Sequence, residues 1–142
     1  MNKILVKIFI SLVAATALLL VFFLLDNRGS QADGEFDFIL YNEYDEVVID
    51  ERLDFKEGQV LFDVLEEEYS LVCAGPLYQK DESCSYEFAN GHVILEIEDV
   101  KTNWYDSFLE VYINGVHSNY GVSLIELENN DLVEIKWTDV NE

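Results

Sequence analysis

The side chains able to do chemistry are few in this chain of 142 residues: His92 and His117, Cys73 and Cys84, and an aromatic set of Trp104, Tyr105, Tyr112 and Tyr120. Neither histidine lies near a Ser or Cys in a nucleophile motif, and neither HExxH nor a Cys–His zinc spacing occurs. No EF-hand loop is written in the sequence either. His117 follows the Asn114-Gly115 turn; ligation of a cobalt ion is the minor reading there, set against no metal role. The run Glu66-Glu67-Glu68 reads as a solvated helix face. With 29 acidic residues in the chain, carboxylate pairs arise by chance and do not argue for acid–base catalysis. The expectation is a protein with no catalytic residue and no metal site. Trp104 and Tyr105 sit in a polar loop beside Asn103 and Asp106, and together with Tyr112 and Tyr120 they suit stacking against a flat ligand or a protein partner. The competing reading has the four aromatics covering the sheet. Asn114 either faces a ligand or, with Gly115, shapes a tight turn, because Asn and Gly both accept φ > 0.

Cys73 and Cys84 are the only cysteines. An isolated pair outside the cytoplasm reads as a disulfide, worth about 2–3 kcal/mol in the chain-entropy view for a loop of this size; two free thiols are the alternative. The charge is one-sided, with a formal net charge of −21. Setting aside Lys3, Lys7, Arg28, Asp26 and Asp33 leaves 27 acidic and 5 basic residues. Such a surface repels phosphate backbones and excludes nucleic acid as a partner.

Residues 8–25 are an uncharged apolar run preceded by Lys3 and Lys7 and followed by Asp26. About 20 such residues cross a bilayer as a helix, and the basic flank stays inside. Residues 1–25 are therefore expected to be a transmembrane signal anchor, or a signal peptide cleaved after the small-x-small stretch Ser30-Gln31-Ala32. The first implies a single-pass cell-membrane protein with its C-terminal domain outside the cytoplasm, the second a secreted one. Residues 26–35 form a polar linker, and residues 36–142 suffice for one domain.

The elements that must position the aromatics follow from periodicity. The stretch 36–41 alternates at first, with Phe36, Phe38 and Leu40 on one side, a polar turn spans residues 42–46, and residues 47–55 resume the alternation: a β-hairpin. After Gly58 the period changes, and Val60, Leu61, Val64, Leu65 and Tyr69 share a helical face over residues 60–69. Its acidic residues crowd the C-terminal half, where the helix dipole disfavours them, so packing must hold it. Residues 70–90 read as irregular. Residues 93–97 form a strand, 99–106 a loop, 109–113 a strand closed by Asn114-Gly115, 116–121 a connection, 124–127 a short strand or turn, and 132–137 the last strand. The fold class is α+β: a two-layer, β-grasp-like mixed sheet with one packed helix.

Several short patterns then line up: Glu57-Gly58-Gln59-Val60-Leu61-Phe62-Asp63-Val64-Leu65 opening the helix, Ile97 to Val100 followed by Lys101, Val111-Tyr112-Ile113-Asn114-Gly115, Gly121, and Asn130-Asp131-Leu132-Val133-Glu134-Ile135. Over residues 36–137 the chain resembles the transcobalamin-like C-terminal domain family, surface-attached or secreted modules akin to the small domain that closes over cobalamin. The family usually has Thr or Ser at the position of Val60, Trp at that of Leu109 and Gly at that of Asn130. The resemblance implies a β-grasp fold and an extracytoplasmic, membrane-anchored binding module for a small ligand such as a corrinoid. Cobalamin would then be a ligand, not a cofactor, with Trp104, Tyr105, Tyr112, Asn114 and Tyr120 as its contacts. The alternative is a structural or protein-interaction domain of the cell envelope with no small-molecule ligand, docking an envelope protein.

Overall fold

The computed structural model describes residues 12–18 and 33–141. The chain divides into two units, Met1–Gln31 and Ala32–Glu142. In the first, residues 12–18 are helical, a length of about 10 Å. Among the described residues no helix is long and apolar enough to cross a membrane. This corrects the expected transmembrane or signal helix over residues 1–25. The expectations built on that helix go with it: membrane attachment as a partner, and single-pass placement in the cell membrane. The rest of the apolar run and most of the linker lie outside the described residues.

The second unit holds two sheets and a helix. Strands β1 (Gly34–Tyr41) and β2 (Val47–Phe55) form the hairpin. The helix α1 (Leu61–Glu68) follows, then β3 (Leu71–Ala74), β4 (Lys80–Asp81), β5 (Ile94–Ile97), β6 (Val100–Lys101), β7 (Ser107–Ile113), β8 (Val116–His117) and β9 (Leu132–Asp139). The larger sheet has the order β2-β1-β9-β7-β8, and the smaller one β4-β3-β5-β6. In the larger, β9 runs parallel to β1, pairing Asp37 with Leu132 and Tyr41 with Lys136. It runs antiparallel to β7, pairing Ile113 with Val133 and Ser107 with Asp139. First and last strands lying parallel at the centre, with a helix against the sheet, make the β-grasp pattern.

Alternation in β1 points Phe36, Phe38 and Leu40 into the core, all three fully buried beside Val133 and Ile135 of β9. Helix α1 buries Leu61, Phe62, Val64 and Leu65 and leaves Glu66, Glu67 and Glu68 in solvent. Val60 cannot cap it, so the chain supplies other partners. The Asp63 carboxylate accepts the Val60 N–H at 3.0 Å, and the carbonyl of Ile125 accepts the Leu61 N–H at 2.9 Å. These bonds satisfy two of the donors that every helix start leaves free. The smaller sheet was not expected: β3 and β4 fall in the stretch read as irregular, and β6 in the stretch read as a loop. The segment read as a strand or turn at 124–127 is the end of a 3-10 turn, Val122–Leu124, followed by a bridge between Glu126 and Val60.

Candidate functional site

A cleft of about 560 Å³ opens between the β7–β8 end of the larger sheet and the segments that flank β5. Ile94, Val122 and Ile135 form its floor. Its mouth is a column of aromatic rings that no sequence spacing announces. Tyr78 is stacked between Phe88, with ring centroids 4.9 Å apart, and Trp104, at 4.5 Å and 5° between planes. Tyr86 meets Phe88 edge-on, and Phe108 leans on Trp104 at 6.0 Å. Tyr78 and Trp104 both hold left-handed backbones, with φ of 59° and 68°. For bulky residues that conformation is an outlier, costing about 1 kcal/mol or more each, and such outliers gather at functional sites. The bond from the Trp104 N–H to the Ser107 carbonyl and the Asn103 side chain, which accepts from the N–H groups of Tyr105 and Asp106, hold that loop.

The expected aromatics divide. Trp104 and Tyr120 line the cleft. Tyr105 lies outside it, 69% exposed, its hydroxyl donating to the Leu77 carbonyl at 3.1 Å. Tyr112 is turned away and its hydroxyl donates to Glu110 at 2.9 Å, a bond that holds the phenol above its usual pKa. Asn114, with φ 51°, shapes the turn: its amide donates to Asp131 at 2.8 Å and its side-chain oxygen accepts the Leu132 N–H at 2.9 Å.

Cys73 and Cys84 are joined by a disulfide, their Cα atoms 5.0 Å apart. It ties β3 to the loop that leads to the cleft. Next to it stands His92, a residue whose sequence context gave no signal. Its ring stacks on Phe62 at 4.3 Å, and Nε2–H donates to the Cys84 carbonyl at 2.9 Å. Its Nδ1 is buried without a hydrogen-bond partner, 3.8 Å from Glu87. His92 thus links α1, the disulfide loop and the cleft wall. His117, also on the cleft, sits 3.7 Å from Glu110 and edge-on to Tyr112. Among the described residues no group of three or more His, Cys, Asp or Glu side chains is placed to hold a metal ion.

The arrangement can grip an apolar side chain but is ill-suited to a flat macrocycle. Both faces of Tyr78 and one face of Trp104 are already covered by neighbouring rings. Leu77, Tyr105 and Tyr120 are exposed, and the Tyr105 hydroxyl bond joins the first two.

No known family matches the chain by sequence, nor does any curated protein. Among solved structures it is similar to a proposed metal-binding protein from Ruminococcus gnavus ATCC 29149, with TM-score 0.58 and 14% identity over 75% of this chain and 98% of that one. It is also similar to haptocorrin in its complex with Cbi, with TM-score 0.54 and 14% identity over 75% of this chain and 25% of haptocorrin. The chain thus spans a quarter of haptocorrin's length. At such identity the likeness is one of fold. The expected resemblance to transcobalamin-like domains is carried by the fold alone, with no match in sequence. The expectation of a membrane-anchored module for a corrinoid-like ligand is corrected: among the described residues no helix is long and apolar enough to cross a membrane, and of the aromatics it named Trp104 already has one face covered by Tyr78.

Proposed function

We propose that the domain is a non-catalytic protein-interaction module whose working surface is the aromatic-lipped cleft. The carrying observation is the Phe88–Tyr78–Trp104 column, held on two left-handed aromatic residues at the mouth of an apolar hollow. The occupant is a segment of another protein that inserts an apolar side chain between Trp104 and Tyr120 and spreads over Leu77 and Tyr105. Exposed aromatic and aliphatic side chains beyond the cleft, Leu77 and Tyr105, favour such a segment, since area outside the cleft lies beyond the reach of a small ligand. The net charge of −21 selects partners with basic flanks and speeds their encounter. Two groups along the cleft have bonds of their own: His92 Nε2–H with the Cys84 carbonyl, and the Ser118 hydroxyl with the Tyr120 carbonyl at 3.1 Å. That supports binding over chemistry.

The test places a photo-reactive amino acid at Tyr120 of the full chain, identifies the cross-linked protein, and measures its binding after separate purification. Binding that falls about tenfold or more in Trp104→Ala, as hot-spot aromatics do, with the circular dichroism unchanged, is the expected result. A partner that binds Trp104→Ala as well as the native chain overturns the proposal. So does a saturable quenching of Trp104 by cobalamin with no protein partner recovered.

A further inference from the structure

On one face of β9 the chain has already built a cation holder. The Lys136 ammonium lies 5.1 Å from the ring centre of Tyr41 and 4.9 Å from that of Tyr112, and 3.5 Å from Glu134. Both phenols donate to carboxylates, Tyr41 to Glu134 at 3.1 Å and Tyr112 to Glu110 at 2.9 Å. Aromatic faces backed by carboxylates are the usual surroundings of a held organic cation.

The next residue, Trp137, faces the other way, where aromatic and acidic side chains again meet. Two adjoining hollows, of about 600 and 500 Å³, share Trp137, Tyr44 and Glu43. Leu40, Ile49 and Val100 give the first an apolar floor. Around them stand Glu43, Asp45, Glu98, Asp99 and Asp139, with Lys101 the one basic lining residue among the described residues. Glu98 is partly engaged, accepting the Ser70 N–H at 2.7 Å. Trp137 is fixed by its indole N–H, which donates to the Lys101 carbonyl at 3.1 Å. Tyr44 is fixed by the turn between β1 and β2, where the Asn42 side chain accepts the N–H groups of Tyr44 and Glu46 at 2.9 and 3.0 Å. The Glu43 carboxylate raises the pKa of the Tyr44 phenol.

We infer that this groove receives the charged head of a lysine or arginine side chain from a protein partner, its alkyl stem on Val48 and Ile49 and its cation between Tyr44, Trp137 and the acidic rim. The inference rests on the reading of the domain as a protein-interaction module, but it uses a different surface and a different tryptophan. Two tryptophans in the chain, one per site, make the two readings separable.

The experiment labels the indole nitrogens of the full chain with ¹⁵N and titrates it with Nα-acetyl-lysine methylamide, Nα-acetyl-arginine methylamide and the neutral Nα-acetyl-norleucine methylamide. The expected result is a saturable shift of the Trp137 indole signal with the two cationic probes, an unmoved Trp104 signal, and no saturation with norleucine. Tyr44→Ala then weakens the lysine probe by about threefold, and Glu43→Gln combined with Asp99→Asn weakens it further while the spectrum stays that of the folded chain. Equal shifts with norleucine would reduce the groove to a plain apolar hollow. A linear drift of both indole signals would reduce it to diffuse counter-ion attraction. Either result, or no shift, overturns the inference. Trp137 can titrate even where cross-linking at Tyr120 yields no partner, so the two proposals fail independently.

Discussion

Asp81, half-buried, gathers more hydrogen bonds than any other carboxylate described. One oxygen accepts the Ser83 hydroxyl at 2.5 Å and N–H at 3.0 Å; the other accepts the Ser85 hydroxyl and N–H, both at 3.1 Å. These bonds favour the ionised form, the Ser83 hydroxyl most of all, and hold the Asp81 pKa below its ordinary value. A group whose pKa is lower in the folded state stabilises fully above its unfolded pKa, about 3.9 for aspartate. The contribution is lost as pH falls through the folded value. Ser83→Ala is expected to move the Asp81 titration up toward the ordinary aspartate value, read from its carboxyl carbon by NMR. An unmoved midpoint would show that the hydroxyl bond does not form in solution. At this scale the sequence was informative where a residue acts through its own backbone. Asn114 and Gly115, with φ of 51° and 79°, make the turn that the Asn-Gly pair announces. It was silent on the ring column, because residues 78, 88 and 104 meet through loops with no period, and neither Tyr nor Trp advertises a left-handed backbone.

Elements were legible in proportion to their length. The nine residues of β2, the seven of β7 and the eight of α1 are long enough to show a period. The two-residue strands β4, β6 and β8 are defined only by their partners across the chain. The second sheet was therefore beyond reach, although the cysteines at its edge were conspicuous. One contact between elements is tight enough to test. Gly91, with φ 101°, and Gly121 pass backbone to backbone beneath the cleft, and the Gly121 N–H donates to the Asn90 carbonyl at 2.6 Å. A Cβ on Gly121 would collide with the His92 carbonyl and with Gly91 itself. Backbone cannot yield as a flexible side chain can. Gly121→Ala is thus expected to cost about 2–4 kcal/mol, measured as a lower urea midpoint with an unchanged slope. A neutral result would mean that the 3-10 turn shifts freely.

The whole molecule places its two candidate surfaces on different parts of the larger sheet, each with its own tryptophan. Trp104 lies at the cleft beside β7, and Trp137 near the end of β9 by the turn between β1 and β2. A partner engaging both must be long or folded, whereas a short peptide can engage only one. The strongly negative surface acts on both alike, so salt is expected to slow association more than it speeds dissociation.

The central position of β9 also sets when this molecule can exist. While residues 132–139 are missing, β1 and β7 have no common neighbour, and a groove lined by Phe38, Leu40 and Val111 lies open where Val133 and Ile135 belong. A growing chain must hold that groove unfilled until β9 emerges, a non-local closure of the slow kind. A chain stopped at residue 131 is expected to show no cooperative melting. Adding a synthetic peptide of residues 132–139 should restore it, a complementation that would turn the last strand into a removable key.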